Sequence, residues 1–302
     1  MLNDQAASLR AMQKQAGEKP PAGETSQKSA KPTSGKPIRV ISVASGKGGV
    51  GKTNVSVNIG TALSKLGNRV MLMDADMGLA NVDIMLGLQT QYNLSHVLDG
   101  QKTLKEVIVE GPAGLKIIPA ASGVKRMAQL NAMENAGIIN AFSELSNEID
   151  VLMIDTAAGI ADSVVSFCRA SQEVIVVVTD EPASITDAYA LIKVLSRDYG
   201  VSRFRLLANM VGSKKEGRML YEKMASVTEK FLNVTLDYMG AVPYDRALKQ
   251  AVQRQKPVVM TSPNSEAAES FYAMAQEVNR WPIPQNMTGY IQFFVENLFQ
   301  GQ

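Results

Sequence analysis

The sequence predicts an α/β protein: a doubly wound, mostly parallel sheet with helices on both faces. Three observations carry that expectation. Seven short apolar runs of strand-like, β-branched character recur between residues 38 and 242, the composition of strands buried on both sides. Each run is followed by a helix-like stretch, and strand–helix alternation builds parallel crossovers. The first run feeds a glycine-rich stretch, "SGKGGVGKT" at 45–53, into the start of a helix, a junction suited to phosphate. A chain of 302 residues that is 45% hydrophobic can bury the core such a sheet needs.

The elements follow in order. Residues 1–16, "MLNDQAASLRAMQKQA", carry a short helical pattern, with Asn3 or Asp4 as cap and Leu9 and Met12 on one face. Residues 17–37 are Pro, Gly, Ser and Lys with almost nothing apolar, and read as a flexible tether because burial cannot offset their ordering entropy. The runs of 38–280 are "IRVISVA" at 38–44, "RVMLMD" at 69–74, "LKIIPA" at 115–120, "DVLMID" at 150–155, "EVIVVVT" at 173–179, "FRLLANMV" at 204–211 and "LDYMGAV" at 236–242. "WPIPQNM" then breaks the chain at 281–287, and 281–302 reads as a linker and a helix. On a helical wheel Tyr290, Ile291, Phe294, Val295, Leu298 and Phe299 share one arc, opposite Gln292, Glu296, Asn297 and Gln300. Such a helix docks on its own domain, on a membrane surface or in a protein groove. With only Glu296 charged on the polar face, its lipid affinity rests on apolar area alone.

Composition narrows the function classes. The balance of 31 basic against 29 acidic residues, a net charge of +2, argues against direct DNA binding and against a purely electrostatic membrane binder. The single cysteine, Cys168, excludes an internal disulfide framework and any thiolate cluster, and suits a reducing cytoplasm. There is no run of 18 apolar residues and no signal-peptide pattern, so the expected location is cytoplasmic, with a reversible inner-membrane or polar association left open. His96, the only histidine, reads as a surface or packing residue.

The chemistry sits at strand ends. Gly46 to Thr53 fit G-x-x-x-x-G-K-[ST] between a strand and the helical stretch "TNVSVNIGTALSKLG". Gly46, Gly48, Gly49 and Gly51, with Val50, turn backbone N–H groups toward phosphate oxygens, and Asn54 follows in the helix's first turn. Lys52 reaches the β- and γ-phosphates, and Thr53 offers its hydroxyl to Mg²⁺. Asp74 and Asp76 lie at the end of the second strand and Asp155 at the end of "VLMID", where open parallel sheets place ligand groups. Asp155 reads as an Mg²⁺ carboxylate acting through water, with Gly159 in a second switch. Asn209 can present a donor and an acceptor to an adenine edge. "VPYDRAL" at 242–248 turns through Pro243, and Asp245 there is either beside the nucleotide or a helix cap.

Lys47 is a second lysine in a loop that needs one. "KGGVGKT", Lys47 to Thr53, resembles the deviant Walker A motif of the MinD/ParA ATPases. The resemblance implies a P-loop NTPase fold of that type, ATP and ADP with Mg²⁺, and a homodimer in the ATP-bound state. It implies that Lys47 crosses the interface to the partner's phosphates, that Asp76 orients the attacking water beside the metal, and that Pro243 walls the purine. Relatives with iron–sulfur clusters need paired cysteines, which this chain lacks.

"DQAASLR", residues 4–10, resembles the D-Q-A-x-x-L-R segment of the FlhG (FleN, YlxH) subfamily, which controls flagellar number and placement. That resemblance implies a helix docking on the SRP-type GTPase FlhF, with Asp4, Gln5 and Ala6 in the motif, Gln5 orienting a water, and Leu9 and Arg10 holding the helix. Ile291, Phe294 and Leu298 are the candidate partner contacts at the other end. Further implied partners are a flagellar master regulator of the FlrA/FleQ type, inhibited by sequestration, a basal-body (C-ring) protein, and a membrane surface. Two other readings stand beside it: a ParA-like partition ATPase using "GSKKEGR" at 212–218 on DNA, and a scaffold that hardly hydrolyses nucleotide.

Overall fold

The structure, a computed structural model, describes residues 37–76, 81–119, 141–282 and 291–299. Asp4, Gln5, Ala6, Leu9 and Arg10 lie outside the described residues, as does the side chain of Ile291.

The apolar runs form strands β1 (Arg39–Ser45), β2 (Val70–Ala75), β4 (Lys116–Ile118), β5 (Val151–Ala158), β6 (Glu173–Val178), β7 (Arg203–Val211) and β8 (Thr235–Pro243). An eighth strand, β3 (Val109–Glu110), pairs antiparallel with β4, and the order across the sheet is β3-β4-β2-β5-β1-β6-β7-β8. Every other strand pairing among the described residues is parallel. β3 has no signature in the sequence, because two residues at a sheet edge bury too little to impose an apolar pattern.

Helices α1 (Lys52–Lys65), α2 (Val82–Leu86), α3 (Leu94–Leu98), α4 (Leu104–Val107), α5 (Asp162–Ala170), α6 (Pro182–Arg197), α7 (Lys214–Leu232), α8 (Arg246–Gln253), α9 (Val258–Thr261), α10 (Glu266–Arg280) and α11 (Ile291–Phe299), with a 3-10 turn at Pro112–Gly114, join the strands. Residues of α1, α2, α8, α9 and α10 share a core on one face of the sheet. Those of α3 to α7 and α11 fill cores on the other. The fold is therefore doubly wound, and Cys168 lies wholly inside it, with burial pushing its thiol up to about 12.

Helix α11 packs on its own domain. Phe294 and Val295 are 1% exposed and Leu298 8%, in the same cluster as Ile38, Phe142 and Phe167. Arg169 of α5 donates from Nη2 to the Asn297 carbonyl at 3.0 Å, capping the helix end. Each such apolar burial is worth about 1.5–3 kcal/mol, so this contact is substantial. Phe294 and Leu298, the candidate partner contacts, face the chain's own core in this structure. Among the described residues no helix is long and apolar enough to cross a membrane.

Candidate functional site

The parallel register brings three strand ends together. Asp155 of β5 lies beside Val43 of β1 and Asp74 of β2, so the loop after β1 and both carboxylates share one edge of the sheet. Two glycines are imposed by close approach. A Cβ on Gly46 would stand 2.1 Å from the backbone of Asp187 in α6. One on Gly51, whose φ is +81°, would stand 2.5 Å from the Asn209 amide. Gly51 caps α1 with no side-chain hydrogen bond and no acidic residue follows in the first turn. The helix therefore offers its N-terminal partial charge to a ligand. Gly48, Gly49, Thr53 and Asn54 line the resulting cleft of about 540 Å³ together with Asp76, Ile84, Met85, Ala158, Val252 and Gln255.

At its floor, Asp155 is 0% exposed and Lys52 7%. Lys52 Nζ donates to Asp155 Oδ1 at 2.9 Å, Ser56 Oγ donates to the same oxygen at 2.8 Å, and Thr53 Oγ1 donates to Oδ2 at 2.6 Å. Asp74 accepts the backbone N–H groups of Asp76, Asn81 and Val82 at 3.0, 3.1 and 3.2 Å. Burial first, and the charge of Asp155 second, push its carboxyl up to about 6 against those three donors. Asp74 thus organises the backbone around Asp76, a role its position at a strand end did not reveal.

Mg²⁺ fits this corner chemically. The Thr53 hydroxyl and the Asp155 carboxylate are hard oxygen donors already in contact, the kind that ion prefers. Among the described residues no three His, Cys, Asp or Glu side chains gather into a metal site, so phosphate and water oxygens would complete the coordination.

At the cleft mouth Lys47 Nζ lies 2.9 Å from Glu181 Oε2, with the two side chains 41% and 62% exposed. Asn209 and Pro243 stand at the ends of β7 and β8, behind the loop. Asn209 Nδ2 donates to the Val50 carbonyl at 2.7 Å, while its Oδ1 is buried with no hydrogen-bond partner. Met210, next in the chain, takes a φ of +55° where the register with β8 shifts. Asp245 caps two helices. One oxygen takes the Ala247 N–H of α8 at 2.7 Å and the other the Ala267 N–H of α10 at 3.1 Å. Partial burial pushes its carboxyl up, but these N–H groups outweigh that and hold it below the usual range.

Several site residues carry no sequence signal. Ser56 could have been found one turn beyond Lys52 on the same helix face. Glu181 lies just past a strand end, whereas Ile84, Met85, Val252 and Gln255 belong to segments without a motif.

A doubly wound sheet whose first strand runs through a glycine loop into an uncapped helix, with a buried Lys–Asp pair beneath it, defines a P-loop nucleotide-binding protein. Residues 37–279 match the family described as "ParA: NUBPL iron-transfer P-loop NTPase". The chain is 56% identical over 264 residues to the antiactivator FleN of Pseudomonas aeruginosa, spanning 87% of this chain and 94% of that one. It is 37% identical over 238 residues to the flagellum site-determining protein YlxH of Helicobacter pylori, spanning 78% and 80%. The solved MinD cell division protein of Aquifex aeolicus superposes with a TM-score of 0.64 at 26% identity, spanning 82% of this chain and all of that one. The chain belongs to the MinD/ParA family of P-loop NTPases.

Proposed function

We propose that this chain is an ATP-driven dimerising switch whose hydrolysis is completed by a second copy. The observation that carries the reading is the division of labour between two lysines. Lys52 is enclosed with Asp155, while Lys47 stands half-exposed at the cleft mouth in a surface ion pair with Glu181. Exposed pairs contribute about 0–1 kcal/mol, so a partner's phosphates can draw Lys47 away from Glu181 at little cost. A cation delivered in trans to developing charge follows the logic of an arginine finger.

In the ATP state Lys52 exchanges Asp155 for the β- and γ-phosphates, and Asp76, on the cleft wall, orients the attacking water. Thr53, and Asp155 through water, would hold Mg²⁺, which would supply positive charge to offset that of the phosphate oxygens. The free Oδ1 of Asn209 accepts from the adenine amino group, with Pro243 beside the base. Exposed Ile84, Ile160, Met210, Tyr244 and Val252 belong to segments around the loop and supply apolar surface for the second copy. The ADP-bound or empty form is a monomer. Helix α11, docked here, is released or shared in the other state toward a partner or a membrane surface.

The resemblance of residues 4–10 and the names of the two relatives support a flagellar output: control of flagellar number and placement. The chain would stimulate the GTPase FlhF through Gln5 and its neighbours, and act as anti-activator of a master regulator of the FlrA/FleQ type. A basal-body C-ring protein is a further candidate partner. The partition reading is weaker, since in its basic segment Arg218 pairs with Glu222 and covers Tyr238.

Sedimentation tests the switch. With ATP, Asp76→Ala should remain dimeric and inactive, whereas Lys47→Ala should lose about 10²-fold or more of its hydrolysis. A wild-type rate independent of protein concentration and unaffected by Lys47→Ala would refute the dimer. For the flagellar output, full-length protein should accelerate GTP hydrolysis by FlhF, and Gln5→Ala should abolish the acceleration. No acceleration by the intact chain would leave the ATPase and remove this partner.

A further inference from the structure

Gln255 lies two residues past the end of α8 with a φ of +53°, a left-handed conformation that side chains rarely adopt. The backbone accounts for it: Gln255 follows the cap of α8, and its N–H bonds the Val252 carbonyl at 3.0 Å while that of Lys256 bonds the Ala251 carbonyl at 3.1 Å, the usual left-handed helix ending. Its side chain adds a remote contact. Nε2 donates to the carbonyl of Ile84 in α2 at 2.7 Å, across 171 positions of sequence. The fit is close: a Cβ on Gly87, at the end of α2, would stand 3.2 Å from Gln255 Oε1. Ile84 and Met85 on one side, and Val252 and Gln255 on the other, line the same cleft as Asp76 and the phosphate loop. The bond therefore ties two walls that the topology draws from opposite halves of the chain.

Helix α2 is held at its start and at its middle. Asp74 takes the N–H groups of Asn81 and Val82 at its start, and of Asp76 just upstream. Gln255 donates to the carbonyl of its central residue, Ile84. A short helix of five residues has little hold of its own, so its placement depends on these two anchors together with the burial of Val82 and Leu86 in the core. We propose that Gln255 is a positioning residue for hydrolysis: by clasping α2, whose start shares the Asp74 carboxylate with the Asp76 backbone, it holds the cleft wall beside Asp76 in the reactive arrangement. The inference rests on the ATPase reading above. It extends that reading to a residue that acts through α2 and Asp76.

The test is steady-state hydrolysis of ATP by the full-length protein, at concentrations where the wild type is fully dimeric, for Gln255→Gly and Gln255→Glu. Glycine relieves the left-handed φ while removing the clasp, and so dissociates positioning from folding. Glutamate keeps the size but has no donor for the Ile84 carbonyl. Both variants should lose about ten-fold in kcat, as a misplaced catalytic group does. The KM for ATP should stay within about two-fold, because the phosphate loop is untouched. The glycine variant should unfold at the wild-type temperature or above. A glycine variant with wild-type kcat would overturn the inference and leave the ATPase reading intact. Wild-type hydrolysis no faster than that of Asp76→Ala would overturn both.

Discussion

Asp155 concentrates the physical chemistry of the site in one side chain. It has no exposed surface and accepts from Lys52, Thr53 and Ser56. Asp155→Ala would leave the Lys52 ammonium, 7% exposed, without a counter-charge. Breaking one partner of a buried pair costs about 3–5 kcal/mol. Urea unfolding of the nucleotide-free variant should therefore show a lower midpoint at an unchanged slope. An unchanged midpoint would mean that Lys52 finds another partner or solvent. Lys52, Thr53 and Asp155 were legible in the sequence, since a loop motif and a carboxylate ending an apolar run are local patterns. Ser56 and Glu181 were not, because each matters only through a partner 99 or 134 positions away.

Asp245 shows the same limit for elements. Its place before "RAL" marks it as a possible cap, and it does cap α8, but its second oxygen caps α10 as well. Asp245→Ala should cost about 1–3 kcal/mol, the sum expected for two lost caps. Thermal unfolding would read this as a lower midpoint, and a loss confined to a few tenths would show that water replaces both bonds. The long strands appear where apolar runs predict them, because burial on both faces imposes a continuous pattern. Strand β3 was invisible because two residues impose none. For α11 the apolar arc was plain, whereas its choice of surface was not: amphipathicity states that a face must be covered and says nothing of what covers it.

At the scale of the whole molecule, β1 sits between β5 and β6, so the phosphate loop emerges where connections leave to both faces and the sheet opens a crevice. The sequence by itself determined the fold class, the phosphate loop, the second lysine and the carboxylates at strand ends. Those properties follow from local periodicity, turn chemistry and the rule that parallel sheets gather ligand groups at one edge. Only the tertiary structure decided that Asp155 holds Lys52, that Lys47 rests on Glu181, that Asp245 is a double cap, that α11 covers its own core and that Gln255 bonds the Ile84 carbonyl. Each is a contact between segments remote in sequence, selected by packing and charge in three dimensions, and neither residue type nor spacing encodes which two ends will meet.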